Sequence, residues 1–225
     1  MHEFYFLPSD PAAQRVRLAL GFKAIAHREV ALDYYDDETF FELGIGRRGC
    51  VLRLSDGTLY DDSISILGRA DALFGGAPIL DGILPQDAWH ALLAWRNEID
   101  ALLARLYAPL LPAYSDIAAS DANLAAYRRD VEQRFGLGVE ALSNDRYDGY
   151  AQLAARSRLT ELARHLARQR FYYAGRISAA DFILAADLYP LQLLDGVSLP
   201  LDLMYYFERV AGCCRVDLRE YVTLR

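Results

Sequence analysis

Two short stretches carry residue types that could do chemistry. The first is Asp61-Asp62-Ser63-Ile64, directly behind a tight turn at Asp56-Gly57. An acid and a hydroxyl at a helix start sit beside unpaired backbone N–H groups and the positive end of the helix dipole. That combination suits a carboxylate ligand, and by itself it is equally well a simple N-cap. The second stretch is Pro8-Ser9-Asp10-Pro11, between an apolar run and a helical pattern. Pro11 fits the first helical position and makes Asp10 the N-cap, with the Ser9 hydroxyl one residue ahead. Other chemistries are weak. His2, His27, His90 and His165 are scattered without metal-ligand spacing, so no metal site is expected. Cys213-Cys214 lack Cys-x-x-Cys spacing, and Cys50 reads first as a small half-buried residue. Neither a phosphate loop nor a dinucleotide fingerprint occurs.

The elements that position these groups follow from the pattern. Residues 3–7 are an aromatic and apolar strand, and residues 12–22 a helix packed along one side. Residues 28–32 read as a second strand and residues 33–44 as an irregular helix. Val51, Leu52 and Leu54, the Asp-Gly turn and Leu59-Tyr60 make a hairpin, because Gly accepts the positive φ such a turn needs. A third helix follows to about residue 74, and Gly75-Gly76-Ala77-Pro78 opens a linker. From Gln86 onward the pattern is helical, with one pattern ending near Pro109 or Pro112. Another spans residues 122–142 with a break near Gly136-Leu137-Gly138, and a third long one spans residues 150–169. Ser178 and Asp181 form a capping box before Phe182 to Leu188, a run apolar nearly all round, as in a buried helix.

Composition narrows the function class. A chain of 225 residues suits one large domain or two small ones. With 24 basic against 31 acidic residues the net charge is −7, which argues against nucleic acid as the main partner. No apolar run reaches the length of a membrane span, and no signal-peptide pattern is visible. Three cysteines cannot all pair within the chain, so a reduced, cytoplasmic setting is expected.

The order Gly-x-Val-x-x-Leu, Asp-Gly turn, strand, acid-Ser, apolar helix over residues 49–67 resembles the glutathione-binding half of the glutathione transferase family. The Gly-x-x-Ser-x-Ala-Asp run at residues 175–181 resembles the start of that family's central buried helix. The resemblance implies a thioredoxin-like N-terminal domain (residues 1–76), a linker (77–85) and an all-helical C-terminal domain (86–225), so α/β followed by all-α. It implies glutathione as substrate, held by Val51 and Leu52 in the hairpin and by Asp62 and Ser63. Leu52 stands where the family keeps a cis-proline, a departure. The thiolate stabiliser is carried over to Ser9 or to Tyr5, or to no side-chain donor, since Asp10 itself falls on the position of the family's serine. An electrophile pocket is expected between the domains, with Arg96, Asn97, Tyr107 and Tyr114 as candidates.

The expected function is therefore conjugation or exchange of glutathione on an apolar or aromatic electrophile. A non-catalytic binding or scaffolding protein of the same fold is the alternative, as is a glutathione-dependent lyase or isomerase. A homodimer is implied by the resemblance alone.

Overall fold

The computed structural model describes residues 1–223. Strand β1 (His2–Phe6) runs into helix α1 (Pro11–Phe22), which crosses over to β2 (His27–Ala31). The two strands pair in parallel, His2 opposite His27. A short helix α2 (Asp37–Glu42) precedes the hairpin β3 (Cys50–Arg53) and β4 (Leu59–Tyr60), and helix α3 (Ser63–Phe74) follows at once. Strand β3 pairs antiparallel with both β1 and β4, giving the sheet order β2-β1-β3-β4. This is the expected thioredoxin-like arrangement.

Strand alternation sorts the side chains to two faces. Phe4, Phe6, Cys50 and Leu52 pack with Ala13, Val16 and Leu20 of α1 and Ile66 of α3. Tyr5, Leu7 and Val51 face the other way, with Leu32 and Phe40.

The rest of the chain is helical, as the patterns predict: α4 (Gln86–Tyr107), short α5 (Ser115–Ala118), α6 (Asp121–Phe135), α7 (Val139–Asn144), α8 (Arg146–Arg156), α9 (Leu159–Arg168), α10 (Ala179–Leu188) and α11 (Leu201–Cys214). Helix α6 ends at Gly136 in the left-handed conformation (φ 66°), where the glycines mark the break. The pattern over residues 150–169 is not one helix. Arg158 takes φ 50° and separates α8 from α9, a break that apolar spacing alone does not reveal.

Helix α10 is buried along its whole length. Its start is the expected capping box: Asp181 accepts from Ser178 N at 2.8 Å. Its other oxygen accepts from Tyr206 Oη at 2.7 Å and Tyr172 N at 2.8 Å, so the carboxylate is satisfied in the core. Leu18 and Ala19 of α1 and Leu67 and Ala70 of α3 belong to the same core as α10, so the two halves share their interior. The linker is tied to α3 through Asp71, which accepts from the N–H groups of Ile79, Leu80 and Asp81 and pairs with Lys23 at 2.7 Å.

Candidate functional site

A cavity of about 680 Å3 lies between the sheet half and the helical half. One wall is polar. It is built by the loop before α1 (Ser9, Asp10), the start of β3 (Gly49, Cys50) and the start of α3 (Asp62, Ser63). The opposite wall mixes apolar and charged side chains. The apolar ones are Leu103 and Tyr107 on α4, Leu111 just beyond it, and Tyr127, Val131 and Phe135 on α6. The charged ones are Arg96 and Asp100 on α4 and Asp130 and Arg134 on α6. Tyr127, Val131 and Phe135 recur every four residues, so one stripe of α6 faces the space.

Two helices begin at the polar wall, and both are capped by aspartate. At α3, Asp62 Oδ2 accepts from Ser65 N at 2.6 Å. The N–H groups of Ser63 and Ile64 have no hydrogen-bond partner among the described residues. The Ser63 hydroxyl oxygen accepts from Arg15 Nη1 at 3.1 Å, which leaves its own hydrogen free to donate. This terminus is open to an anion.

At α1 the groups are spoken for. Pro11 has no N–H. Ala12 N donates to Asp10 Oδ1 at 2.8 Å, and Ala13 N to the Asp10 carbonyl at 3.0 Å. The cap carboxylate occupies the place an external anion would take. Asp10 Oδ2 has no partner among the described residues and lies against Gly49, where a methyl group would overlap it. Burial raises the Asp10 pKa, opposed by the Ala12 N–H and by Arg15.

A buried ion pair joins these two starts to the helical half. Arg15 Nε donates to Asp187 Oδ1 at 2.7 Å, and Arg96 Nε to Asp187 Oδ2 at 3.1 Å. Burial works against the Arg15 charge, yet the Asp187 carboxylate outweighs it and holds the guanidinium pKa above its usual value. The Tyr107 hydroxyl donates to the Asp187 main-chain carbonyl. Asp187 on α10 thus fixes Arg15 of α1, which in turn fixes Ser63 of α3. Arg15 and Asp187 were not among the sequence candidates. Their signal is the acid that interrupts the apolar run Phe182 to Leu188, beyond the capping box, since a charge in a buried helix needs a partner.

The sequence candidates divide. Ser9, Asp62, Ser63, Arg96 and Tyr107 line the cavity. Val51 and Leu52 do not: they lie inside β3, opposite Tyr5 and Phe4, and the residues at the wall are Gly49 and Cys50. The Val51–Leu52 bond is trans. Tyr5 is on the far face of the sheet, its hydroxyl donating to Glu3 at 3.1 Å. Ser9 is at the wall, but its hydrogen goes to Asp116 Oδ2 on α5 at 2.6 Å. Burial pushes the Asp116 carboxyl up to about 6. Asn97 is exposed on α4, and Tyr114 is buried outside the cavity. Cys50 faces the cavity, and burial pushes its thiol well above the usual range, so it is not a ready nucleophile.

Neither a protein-family model nor a curated protein matches the chain. Solved structures do. Glutaredoxin 2 from Salmonella typhimurium in complex with glutathione superposes with a TM-score of 0.81 at 18% identity, covering 100% of this chain and 99% of that one. A glutathione S-transferase of Ceriporiopsis subvermispora in complex with glutathione gives 0.69 at 18% identity, covering 100% and 98%. Maleylacetoacetate isomerase from Methylobacterium extorquens, with bound malonate and GSH, gives 0.58 at 20% identity, covering 97% and 95%. The chain has the fold of these proteins over its whole length. No helix among the described residues is long and apolar enough to cross a membrane.

Proposed function

We propose that the chain binds glutathione at the start of α3 and joins or exchanges its thiol with an apolar or aromatic electrophile. The observation that carries this reading is the open α3 terminus: two free N–H groups and a free hydroxyl hydrogen, set at a cavity between the halves. The γ-glutamyl carboxylate is received by Ser63 N, Ile64 N and the Ser63 hydroxyl. Its ammonium is received by the Asp62 carboxylate, one oxygen of which is free of the cap bond. The glutathione complexes among the structural neighbours support the ligand class. Leu103 and Tyr107 of α4 with Tyr127, Val131 and Phe135 of α6 support an apolar second substrate, and Arg96 lines the same cavity.

Isothermal calorimetry tests the reading. Glutathione binds the wild type at millimolar concentration or below, and Ser63→Ala weakens it; absence of heat with the wild type refutes it. A wide panel of electrophiles, beginning with a chloro-aromatic, tests turnover. In this reading the protein acts as a homodimer in the cytoplasm, and gel filtration tests the assembly.

One observation favours a second reading, a glutathione-binding protein without transferase activity. Neither Ser9 nor the α1 terminus offers a hydrogen to a thiolate. Binding without turnover on any electrophile of the panel selects it. Turnover of an isomerisable or eliminating substrate selects an isomerase or lyase instead.

A further inference from the structure

The polar wall lacks what holds a standing thiolate and has instead a carboxylate oxygen without a partner. On the α1 side, Pro11 has no N–H, Ala12 N and Ala13 N are used by Asp10, and Ser9 gives its hydrogen to Asp116. Among the described residues Asp10 Oδ2 is unpartnered at the cavity wall, and the missing side chain of Gly49 makes room for it. An anion beside a thiol disfavours the thiolate.

Resting on the glutathione reading above, we propose that Asp10 is the proton acceptor for the bound thiol: the ligand rests as the thiol and is deprotonated only as it reacts. As the sulfur lone pair forms the S–C bond, the S–H proton passes to Asp10 Oδ2. In a displacement, the electron pair of the broken bond leaves with a halide. In an addition to an activated double bond, the π pair moves to the neighbouring carbon, which takes the proton back from Asp10. No electron donor or acceptor is needed. Asp10 must be ionised to serve, so the rate rises with pH through its raised pKa. The charged and titratable groups facing it are Arg15 on its own helix, Arg96 on α4, Asp187 on α10, Asp116 on α5 and Cys50 in β3.

The test compares the wild type with Asp10→Asn, which keeps the helix cap because Asn caps as well as Asp. The readouts are the ultraviolet absorbance of bound thiolate against pH, calorimetry with glutathione, and kcat/KM against pH with a chloro-aromatic. The wild type shows its bound thiol titrating above the ~8.5 of a free thiol, and Asp10→Asn lowers that value. In Asp10→Asn kcat/KM falls about 100-fold, the lower end for a lost general base, and the acid limb of the profile disappears. A standing thiolate in the wild type at neutral pH overturns the proposal. So does a rate in Asp10→Asn within twofold of the wild type, or a wild type that binds glutathione but never turns over. If the wild type does not bind glutathione at all, the proposed function falls and takes this role with it. If both proteins bind equally and react equally, only the role of Asp10 falls.

Discussion

Helices α1 and α3 start on the same wall, each under an aspartate, and they offer opposite things to a ligand. Helix α3 leaves two N–H groups and a hydroxyl hydrogen free. Helix α1 leaves none, because a proline and its own cap carboxylate use up the end. The difference lies in the first helical residue. Serine at that place adds a donor, whereas proline removes one. An N-cap aspartate alone therefore does not make a helix end an anion site.

The contrast depends on the link between the two ends, which gives the largest expected effect. Asp187→Ala leaves Arg15 and Arg96 without their shared partner, and Arg15 is buried. Urea titration should show a loss of about 3–5 kcal/mol, the usual result of removing one side of a buried pair. A loss under about 1 kcal/mol would show that the two ends hold their geometry independently.

Asp116 sharpens the α1 side. Its carboxyl is pushed up to about 6 by burial, from about 3.9 in an unfolded chain. The folded state therefore holds this proton more tightly, and the stability it contributes is present below pH ~4 and lost as pH rises through 6. Asp116→Asn keeps an acceptor for Ser9 and should flatten this loss. The wild type should fall by about 2–3 kcal/mol relative to the variant between pH 4 and pH 8. Parallel curves would place the Asp116 proton elsewhere.

Ser63→Ala breaks the α3 side. It removes the free hydroxyl hydrogen and leaves Arg15 Nη1 unpaired, so glutathione should bind about tenfold more weakly by calorimetry. The smallest effect compares the caps directly. Asp62→Ala and Asp10→Ala should each lower stability by about 1 kcal/mol in thermal melts. Only the first should also weaken glutathione, and equal weakening by both would erase the distinction between the two ends.

Much of this architecture is local and could be read along the chain. Asp56-Gly57 announces the hairpin, Asp10-Pro11 the start of α1, and Ser178 with Asp181 the start of α10; each device spans four residues or fewer. Of the candidate site, Asp62 and Ser63 could be read from local devices, and Ser9, Arg96 and Tyr107 were placed at the cavity while their partners were not. Val51 and Leu52 were expected at the wall, and Gly49 and Cys50 line it instead. That displacement is two residues, which preserves the strand's alternation, so apolar spacing alone does not fix where the chain meets the cavity. The same alternation turns Tyr5 away from the cavity. The partners of Ser9 and Arg15 lie 107 and 172 residues further along, and no periodic pattern carries pairings of that range.

The close approach of Asp10 to Gly49 couples two positions that are distant in sequence. A Cβ at residue 49 would lie 3.0 Å from the Asp10 Cβ and run into its carboxylate, so an acid at position 10 demands glycine across from it. Descendants of this chain should therefore exchange these residues as a pair: an alanine at position 10 removes the carboxylate overlap and leaves only the tight Cβ contact of 3.0 Å, so position 49 gains a side chain more readily once the acid is gone. Introducing Gly49→Ala into the wild type should damage the protein more than introducing it into Asp10→Ala, a debt inherited by every line that keeps the acid.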